Sequence, residues 1–586
     1  MSDADPGVLE ELRRAGVNRG DLVALAVAPG IGLGMATPDG SLSVAFAVDD
    51  PSGVVHLIER ALRPRWVMWS NETAAILANA GVRVATSWDI AAVRRLLFGG
   101  WRADPACVWA QLHDLTLDTI PKIAPPDLFN QFDDDTRDPA DPDGPLRRDG
   151  HLSPEWVNGG WRESPERLGR WAQLASVVVT RQQIALAELR DSPAAAATAR
   201  SESAAELLCA ELSIDGLPMD RTVAEELVAD IIGPRPRSDA EAAEQRAARD
   251  IEVLRHAPLG AGADLRSPGQ VKSLLRGIGI EVPDTRAWRL ETMRDAHPLI
   301  GALLAWRKAE RFATTYGYAW IDEHLAGDSR LRGTWTGSDG AAGRMTASAG
   351  LHNMPADMRV AVIADPGHVF VRADLGQIEP RVLAAVSGDR ALARATVEDD
   401  MYAPVAQQLG VDRATAKVAV LGAMYGQTTG HGAHALRRLE SAYPVAMSYL
   451  ADADLAAQGS RALRTYGGRL IPMGTTNANE MSERDARGQA AARGRYGRNA
   501  LVQGAAAEFF KLWAVTVRAR GATVNARIVL CLHDELLVHA PADHGDAVGQ
   551  LLADCLQEAA HRWAPDNSVR FVADISVIRR WSDAKD

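Results

Sequence analysis

The stretch Arg372-Ala-Asp-Leu-Gly-Gln-Ile-Glu-Pro-Arg381 follows the apolar run Val369 to Ala373 and ends it in a carboxylate, Asp374. A second stretch, Cys531-Leu-His-Asp-Glu-Leu-Leu-Val538, places His533, Asp534 and Glu535 in a tight turn between two apolar runs. Both patterns put acids at strand tips, where their side chains are free of the sheet's core. Between them lies Arg413-Ala-Thr-Ala-Lys417-Val-Ala-Val-Leu421-Gly-Ala-Met-Tyr425-Gly426. Residues recurring every fourth position share one side of a helix. Each step of four advances about 40° around the axis, so Arg413, Lys417, Leu421 and Tyr425 form a slowly winding stripe, polar at one end and apolar at the other.

Outward from these stretches, the length of 586 residues implies three or four domains. Hydrophobic residues make up 47% and charged residues 24%, values expected of a soluble globular protein, and no uninterrupted apolar run approaches the ~18 residues a membrane span requires. The start, MSDADPGVLEELRRAGV, is acidic and amphipathic where a secretory signal is basic and then apolar. A cytoplasmic, nucleoid-associated protein without a membrane partner is expected. Cys107, Cys209, Cys531 and Cys555 show no CxxC spacing and read as buried small residues, not as disulfides or zinc ligands. The net charge of -12 argues against a chain coated in nucleic acid. Locally the balance reverses: residues 461 to 499 hold eight arginines against Glu480, Glu483 and Asp485, about +5, which is either a polyanion site or a solvated arginine-rich surface.

Along the chain, residues 1 to about 120 alternate strand-like runs (Leu22 to Val27, Leu42 to Val48, Val82 to Ala85) with helical patterns at Glu72 to Ala80 and Asp89 to Leu97, an α/β domain. A Pro-rich stretch with six Asp between Asp133 and Asp143 reads as an exposed loop. A helix is expected at about Ser164 to Arg190, and Asp191-Ser-Pro-Ala-Ala-Ala-Ala-Thr198 reads as a junction. Helices dominate to about 330 and again from 388 to 500. Strand character returns around Val369 and after Arg527, and the last helix, Asp546 to Trp563, leads to a strand near Val569 to Ile578.

Phosphoryl transfer needs the attacking and leaving oxygens held in line and the developing charge neutralised. Two divalent metals held by hard oxygen ligands do this, and Asp374 and Asp534 are the candidates to share them, with the Leu375 carbonyl as a further ligand. The helix between them supplies cations: Arg413 for a γ-phosphate, Lys417 for an α-phosphate, with Leu421 and Tyr425 against the sugar and base. A lone Asp at a strand end is more often a turn cap, but the motifs taken jointly overturn that reading.

These residues carry a resemblance. ADLGQIEPR, RATAKVAVLGAMYG and LHDELLVH are similar, in that order, to motifs A, B and C of the family A DNA polymerases of the DNA polymerase I type. Gly343-Arg344-Met-Thr and Leu351-His-Asn353-Met-Pro355 resemble the segment ahead of motif A that follows the primer. Arg495, Asn499 and Gln503 match a helix that lines template and primer, and Glu211 to Asp220 looks like the start of the family's thumb. The resemblance covers about residues 200 to 586. It implies metal ligation by Asp374 and Asp534, an auxiliary acid at Glu535, a primer-end contact at His533, DNA contacts at Arg344, Asn353, Arg495, Asn499 and Gln503, and a substrate site that includes Gln377. Glu379 becomes a steric gate that leaves no room for a 2′-hydroxyl. Three positions depart from the family pattern: Tyr-Ser after the first Asp is Leu375-Gly376, and the aromatic at position 421 is Leu421.

Residues 1 to about 190 resemble, more weakly, the family's RNase H-like 3′→5′ exonuclease domain. The alignment puts Ala26, Ala28, Thr73 and Ala175 where four metal-binding carboxylates belong, and neutral side chains cannot hold two Mg²⁺ against their hydration shells. Proofreading is therefore expected to be lost, although Asp89 and Glu72 are acids that a displaced site could use. The family's 5′-nuclease domain is not found in the sequence.

The expected fold class is thus α/β multidomain, an RNase H-like exonuclease-type domain (1–195) followed by a right-hand polymerase: thumb 196–330, palm 331–386, fingers 387–498 and palm 499–586. The expected function is template-directed DNA synthesis in repair or gap filling, by a monomer using two Mg²⁺ (Mn²⁺ as an alternative), with primer-template DNA and dNTPs as partners. A non-catalytic DNA-binding scaffold is the rival from another class. A single-subunit RNA polymerase is a third, and Glu379 speaks against it.

Overall fold

The computed structural model of the chain describes residues 6–122, 140–257, 262–426, 433–474, 483–566 and 568–584. Most of the Asp-rich stretch, to residue 139, lies outside them. The chain divides into two compact units, one of residues 1–215, 334–347 and 367–577, the other of 216–333, 348–366 and 578–586.

The first unit holds two sheets. The amino-terminal one has the order β3-β2-β1-β4-β5, with β1 Leu22–Ala28, β2 Gly32–Ala36, β3 Ser43–Ala47, β4 Arg65–Met68 and β5 Ser87–Asp89. The first three form an antiparallel meander, and β4 and β5 join β1 in parallel. The meander follows from two tight turns with Gly30 and Gly40 at positive φ. Parallel pairing follows from helices inserted before β4 and β5, because parallel strands need a crossover. Helix α1, Pro165–Ala187, opens on the Ser164 cap and lays Trp171, Ala172, Ala175 and Val178 on the sheet. Gly34 on β2 meets the α1 backbone so closely that a Cβ there would stand 2.2 Å from the Leu168 carbonyl carbon.

Two local expectations change. Residues Val82 to Ala85 form no strand, and the edge strand is the shorter β5, followed by the helix Ile90–Phe98. Asp89 is buried and caps that helix by accepting from Ala92 N at 2.8 Å. Of the junction read at 191–198, residues 191–194 form a turn and the rest opens helix α2, Ala195–Asp215, which packs on the same sheet and ends where the first stretch of the first unit ends.

The second sheet has four strands in the order β7-β8-β6-β9: β6 His368–Leu375, β7 Arg527–Leu532, β8 Glu535–Pro541 and β9 Ala573–Ile578. The last strand begins four residues later than the expected Val569. Helices α5 Glu483–Gly521 and α6 Gly545–Trp563 pack on it, and α3 Ile378–Ser387 and α4 Arg413–Tyr425 pack on α5. An 18-residue window of α5 is apolar enough to cross a membrane, but 83% of it is buried, which makes it a core helix. A buried ion cluster ties α2 to α5: Glu202 pairs with Arg469 at 2.5 Å and with Lys511. Two of the eight arginines expected on a basic surface are thus structural, because Arg464 likewise spends its guanidinium on the carbonyls of Gly468 and Leu97.

The second unit is helical, with a core of Val271, Leu275, Ile300, Leu303 and Trp306 and a two-stranded pairing of Leu217–Pro218 with Arg330–Leu331. Asp250 knits it, accepting from Trp306 Nε1 at 2.7 Å and from Arg266.

Candidate active site

Period-two alternation along β6 sends Arg372 and Asp374 to one face of the sheet and buries Val371 and Ala373 on the other. The hairpin β7–β8 turns through His533 and Asp534, with His533 at φ +32°, a conformation unusual outside glycine. β6 and β8 pair antiparallel with Asp374 opposite Glu535, and Leu375 N donates to the Asp534 carbonyl at 2.9 Å. Positions 374 and 534 therefore meet at adjoining strand ends, as the sequence implies. Glu535, placed by the sequence in the turn, is the first residue of β8.

The two acids repel one another in a partly dry setting. Burial, and then the Asp534 charge, pushes the Asp374 carboxyl up to about 6, and burial raises Asp534 as well. Arg372 answers part of this charge: its Nη2 lies 2.7 Å from Asp374 Oδ2 and 3.0 Å from Glu535 Oε2. Among the described residues there is no group of three His, Cys, Asp or Glu side chains already gathered as metal ligands.

Beside Asp534 opens a cavity of about 350 Å³. Its walls are Lys417, Leu421 and Tyr425 from α4, Gln377 and Glu379 from the start of α3, Gln503, Ala506 and Ala507 from α5, with Arg344, Tyr402 and His533. α4 exists where it does because Asp412 caps it, accepting from Thr415 N at 2.9 Å, and Gly426 at φ +69° stops it. Ala416, Ala419, Val420, Ala423 and Met424 are its buried side, which leaves the Lys417-Leu421-Tyr425 stripe for the cavity. Arg413, one turn earlier, lies outside the lining and donates to Asp400 Oδ2 at 2.5 Å.

Glu379 is held from two sides. Tyr425 Oη donates to its Oε2 at 2.9 Å and Arg344 Nη2 to its Oε1 at 3.0 Å. Burial, followed by the Glu379 charge, pushes the phenols of Tyr425 and Tyr402 up to about 12, so both remain protonated donors. Burial and then the Arg344 charge lower the His533 imidazole, favouring its neutral form. Gln377, at φ +54°, spends its amide on Asp400 and Met401 N, so it shapes the loop while lining the cavity. Of the other α5 residues, Arg495 is exposed and packs on Gly426, and Asn499 Oδ1 is buried without a partner among the described residues. Asn353 belongs to the second compact unit, where its carbonyl accepts from Arg311 at 2.6 Å.

Several residues that build the site escaped sequence reading. Arg381 is fully buried and donates to the carbonyls of Gly376, Thr396, Glu398, Asp399 and Arg570, fixing the loop that carries Asp400. An arginine inside an apolar helix pattern is the one signal that pointed to it. Ala506 and Ala507 follow Gln503 by three and four positions, a spacing that places them on its face.

In the amino-terminal sheet, Ala26, Ala28 and Ala175 lie in one buried cluster, and Ala26 and Thr73 line a second cavity of about 580 Å³ with Glu72, Trp69 and Trp171. Trp69 stacks on Trp171 at 4.7 Å and Trp161 on Trp171 at 5.9 Å. Indole rings thus pack in the core that holds Ala26, Ala28 and Ala175.

The structure is similar to the polymerase domain of Pol1 from M. smegmatis in complex with DNA primer-template and dNTP, at a TM-score of 0.68 over 98% of each chain. At 19% identity that likeness shows the fold alone. In sequence the chain is 26% identical to the DNA polymerase I of Deinococcus radiodurans over 376 residues, 57% of this chain and 38% of that one. It is 30% identical to a thermostable DNA polymerase I of Thermus thermophilus over 305 residues, 47% of this chain and 36% of that one. The chain therefore spans little more than a third of the length of these relatives. The family model described as DNA polymerase family A matches residues 239–583, more than half of the chain, and takes in both carboxylate stretches and the helix between them. This chain belongs to DNA polymerase family A.

Proposed function

We propose that the protein is a template-directed DNA polymerase that adds dNTPs to a primer 3′-hydroxyl. The observation that carries the reading is the meeting of Asp374 and Asp534 at adjoining strand ends, beside a cavity walled by Lys417, Leu421 and Tyr425. Family membership and the fold shared with a polymerase domain support it.

The donor set suits hard divalent cations: two carboxylates held up in pKa by burial and by neighbouring acids gain from a dication between them. Asp374 and Asp534, with the Leu375 carbonyl, would hold two Mg²⁺, or Mn²⁺ in its place. When bound, such ions lower the pKa of the attacking hydroxyl and neutralise the departing pyrophosphate. The chain's own residues do the rest. Lys417 neutralises phosphate inside the cavity, and Arg413 exchanges Asp400 for the triphosphate tail. Leu421 and Tyr425 pack on the incoming base, and Arg344, His533, Gln503, Asn499, Arg495 and Asn353 follow primer and template. Glu379, pinned by Tyr425 and Arg344, cannot swing away from a ribose 2′-hydroxyl, which favours deoxyribonucleotides.

The domain reading follows: the second compact unit is the thumb, the four-stranded sheet the palm, and α4 with its neighbours the fingers. The meander-plus-parallel order of the amino-terminal sheet supports an RNase H-like domain. Its alanines, and Asp89 used as a buried cap, support loss of proofreading. Gap filling in repair is the role we assign.

Primer extension by the purified chain with Mg²⁺, run separately with dNTPs and rNTPs, tests the reading. Extension with dNTPs and little with rNTPs is expected. No extension would leave the DNA-binding scaffold in its place, and rapid rNTP incorporation would remove Glu379 as the gate.

A further inference from the structure

Arg372 is an unusual neighbour for a pair of metal-binding carboxylates. Its side chain is 8% exposed, yet it is aimed at acids alone: Nη2 bridges Asp374 Oδ2 at 2.7 Å and Glu535 Oε2 at 3.0 Å, and Nη1 stands 3.8 Å from Asp574 Oδ2 on β9. Its Nε is buried without a hydrogen-bond partner among the described residues, so no backbone carbonyl anchors the head from behind. The placement follows from strand geometry. Residues two apart share a face, so Arg372 and Asp374 point together, and the antiparallel register sets Glu535 across from Asp374. Like charges directly opposite each other on a sheet are unfavourable, and a guanidinium, which never deprotonates at ordinary pH, spans the two.

We infer that Arg372 is an internal counter-cation of the metal site: it occupies the carboxylates in the metal-free protein and must yield Asp374 Oδ2 when divalent ions bind, thereby setting how much free metal the site requires. This rests on the polymerase reading above. A fixed positive charge a few ångströms from an incoming dication repels it, and the hydrogen bond at Asp374 Oδ2 competes with it for one of the same oxygens. In exchange, the acids are held together and pre-aimed without metal. The inference makes Arg372 a positioning residue and sets the protein's metal requirement above that of a site with a neutral residue there.

The test is Mn²⁺ binding to the full chain without DNA, read from the electron paramagnetic resonance signal of free Mn²⁺, for wild type and for Arg372→Met, Arg372→Gln and Arg372→Lys. The two neutral variants are expected to bind about tenfold more tightly, on the scale of one charge interaction in a half-buried site, and Lys, which keeps the charge, to stay within about twofold of wild type. Gln retains a donor to the acids, so it serves should Met unfold the sheet. Asp374→Asn added to Arg372→Gln should abolish the gain. Neutral variants that bind Mn²⁺ no better than wild type, or more weakly, overturn the inference, as does a Lys variant that matches them. If that happens while wild type extends primers, only the role of Arg372 fails. If no variant binds Mn²⁺ and none extends primers, the polymerase reading fails with it.

Discussion

Two cavities in the first compact unit are lined in opposite ways. The one beside the four-stranded sheet has acids at the strand ends, a lysine and a tyrosine on one helix, and a glutamate fixed by two donors. The one beside the amino-terminal sheet has Ala26, Thr73 and stacked tryptophans, and its acids, Glu72 and Asp104, stand on helices and loops among arginines and not at the strand ends. Both sheets are well packed. The difference is whether a strand ends in a partly buried, balanced acid, as Asp374 is balanced by Arg372, or in buried apolar side chains, as at Ala26 and Ala28. Packing keeps a fold, whereas a site persists only where an expensive charge is retained.

Five results would break or sharpen this contrast. The largest effect belongs to Lys417→Ala, which should slow single-turnover dNTP incorporation by about 100- to 1,000-fold, as loss of a preorganised charge at a phosphate does. A loss under about threefold would remove Lys417 from the chemistry. On the other side, Ala175 is fully buried, so Ala175→Asp should cost about 3 kcal/mol or more in denaturant unfolding, because the acid enters a site without a partner. Wild-type stability retained in that variant would mean the core beside the sheet accepts a carboxylate. The same contrast is open to a direct assay: a 3′-mismatched primer incubated without nucleotides should stay intact, and trimming that survives Asp374→Ala would show a working nuclease site.

A smaller effect tests how charge is buried away from both cavities, at Glu508 on α5. Burial pushes the Glu508 carboxyl up to about 7 despite the Thr465 hydroxyl and the Arg469 charge. Because its folded pKa lies above the unfolded value, the stability tied to its protonated form is present below about 4.5 and is lost as pH rises through about 7. Wild type should therefore lose on the order of 2 kcal/mol relative to Glu508→Gln between pH 5 and 8. Parallel pH profiles would contradict it. Smallest is Tyr425→Phe, which frees one side of Glu379 and should lower dNTP-over-rNTP selectivity about tenfold, the worth of one hydrogen bond to a charged group. Unchanged selectivity would mean Arg344 alone fixes the gate.

Much of the site was legible because its chemistry sits in short local patterns. The Asp374 and Asp534 strand tips and the Arg413-to-Tyr425 stripe are read from periodicity alone, and α4 begins and ends at the quoted residues. What stayed hidden depends on contacts between distant segments. Arg372 reads as an odd charge in a strand until β8 brings Glu535 across from Asp374. Asp400, in a loop of acids, gains meaning only when Gln377 and Arg413 converge on it. β2, Gly-Leu-Gly-Met-Ala, escaped because glycine lowers strand propensity where close packing against α1 demands it. The arginine window misled for the same reason: composition counts Arg469 as surface charge, while the fold buries it against Glu202.

The central claim is that Asp374 and Asp534 act as one unit. Single-turnover primer extension by wild type, Asp374→Asn, Asp534→Asn and the double variant tests it most directly. The account predicts a loss of about 1,000-fold or more in each single variant and hardly any further loss in the double, because groups that act together are not additive. Either single variant extending primers at near wild-type rate, or losses that multiply in the double, would contradict it.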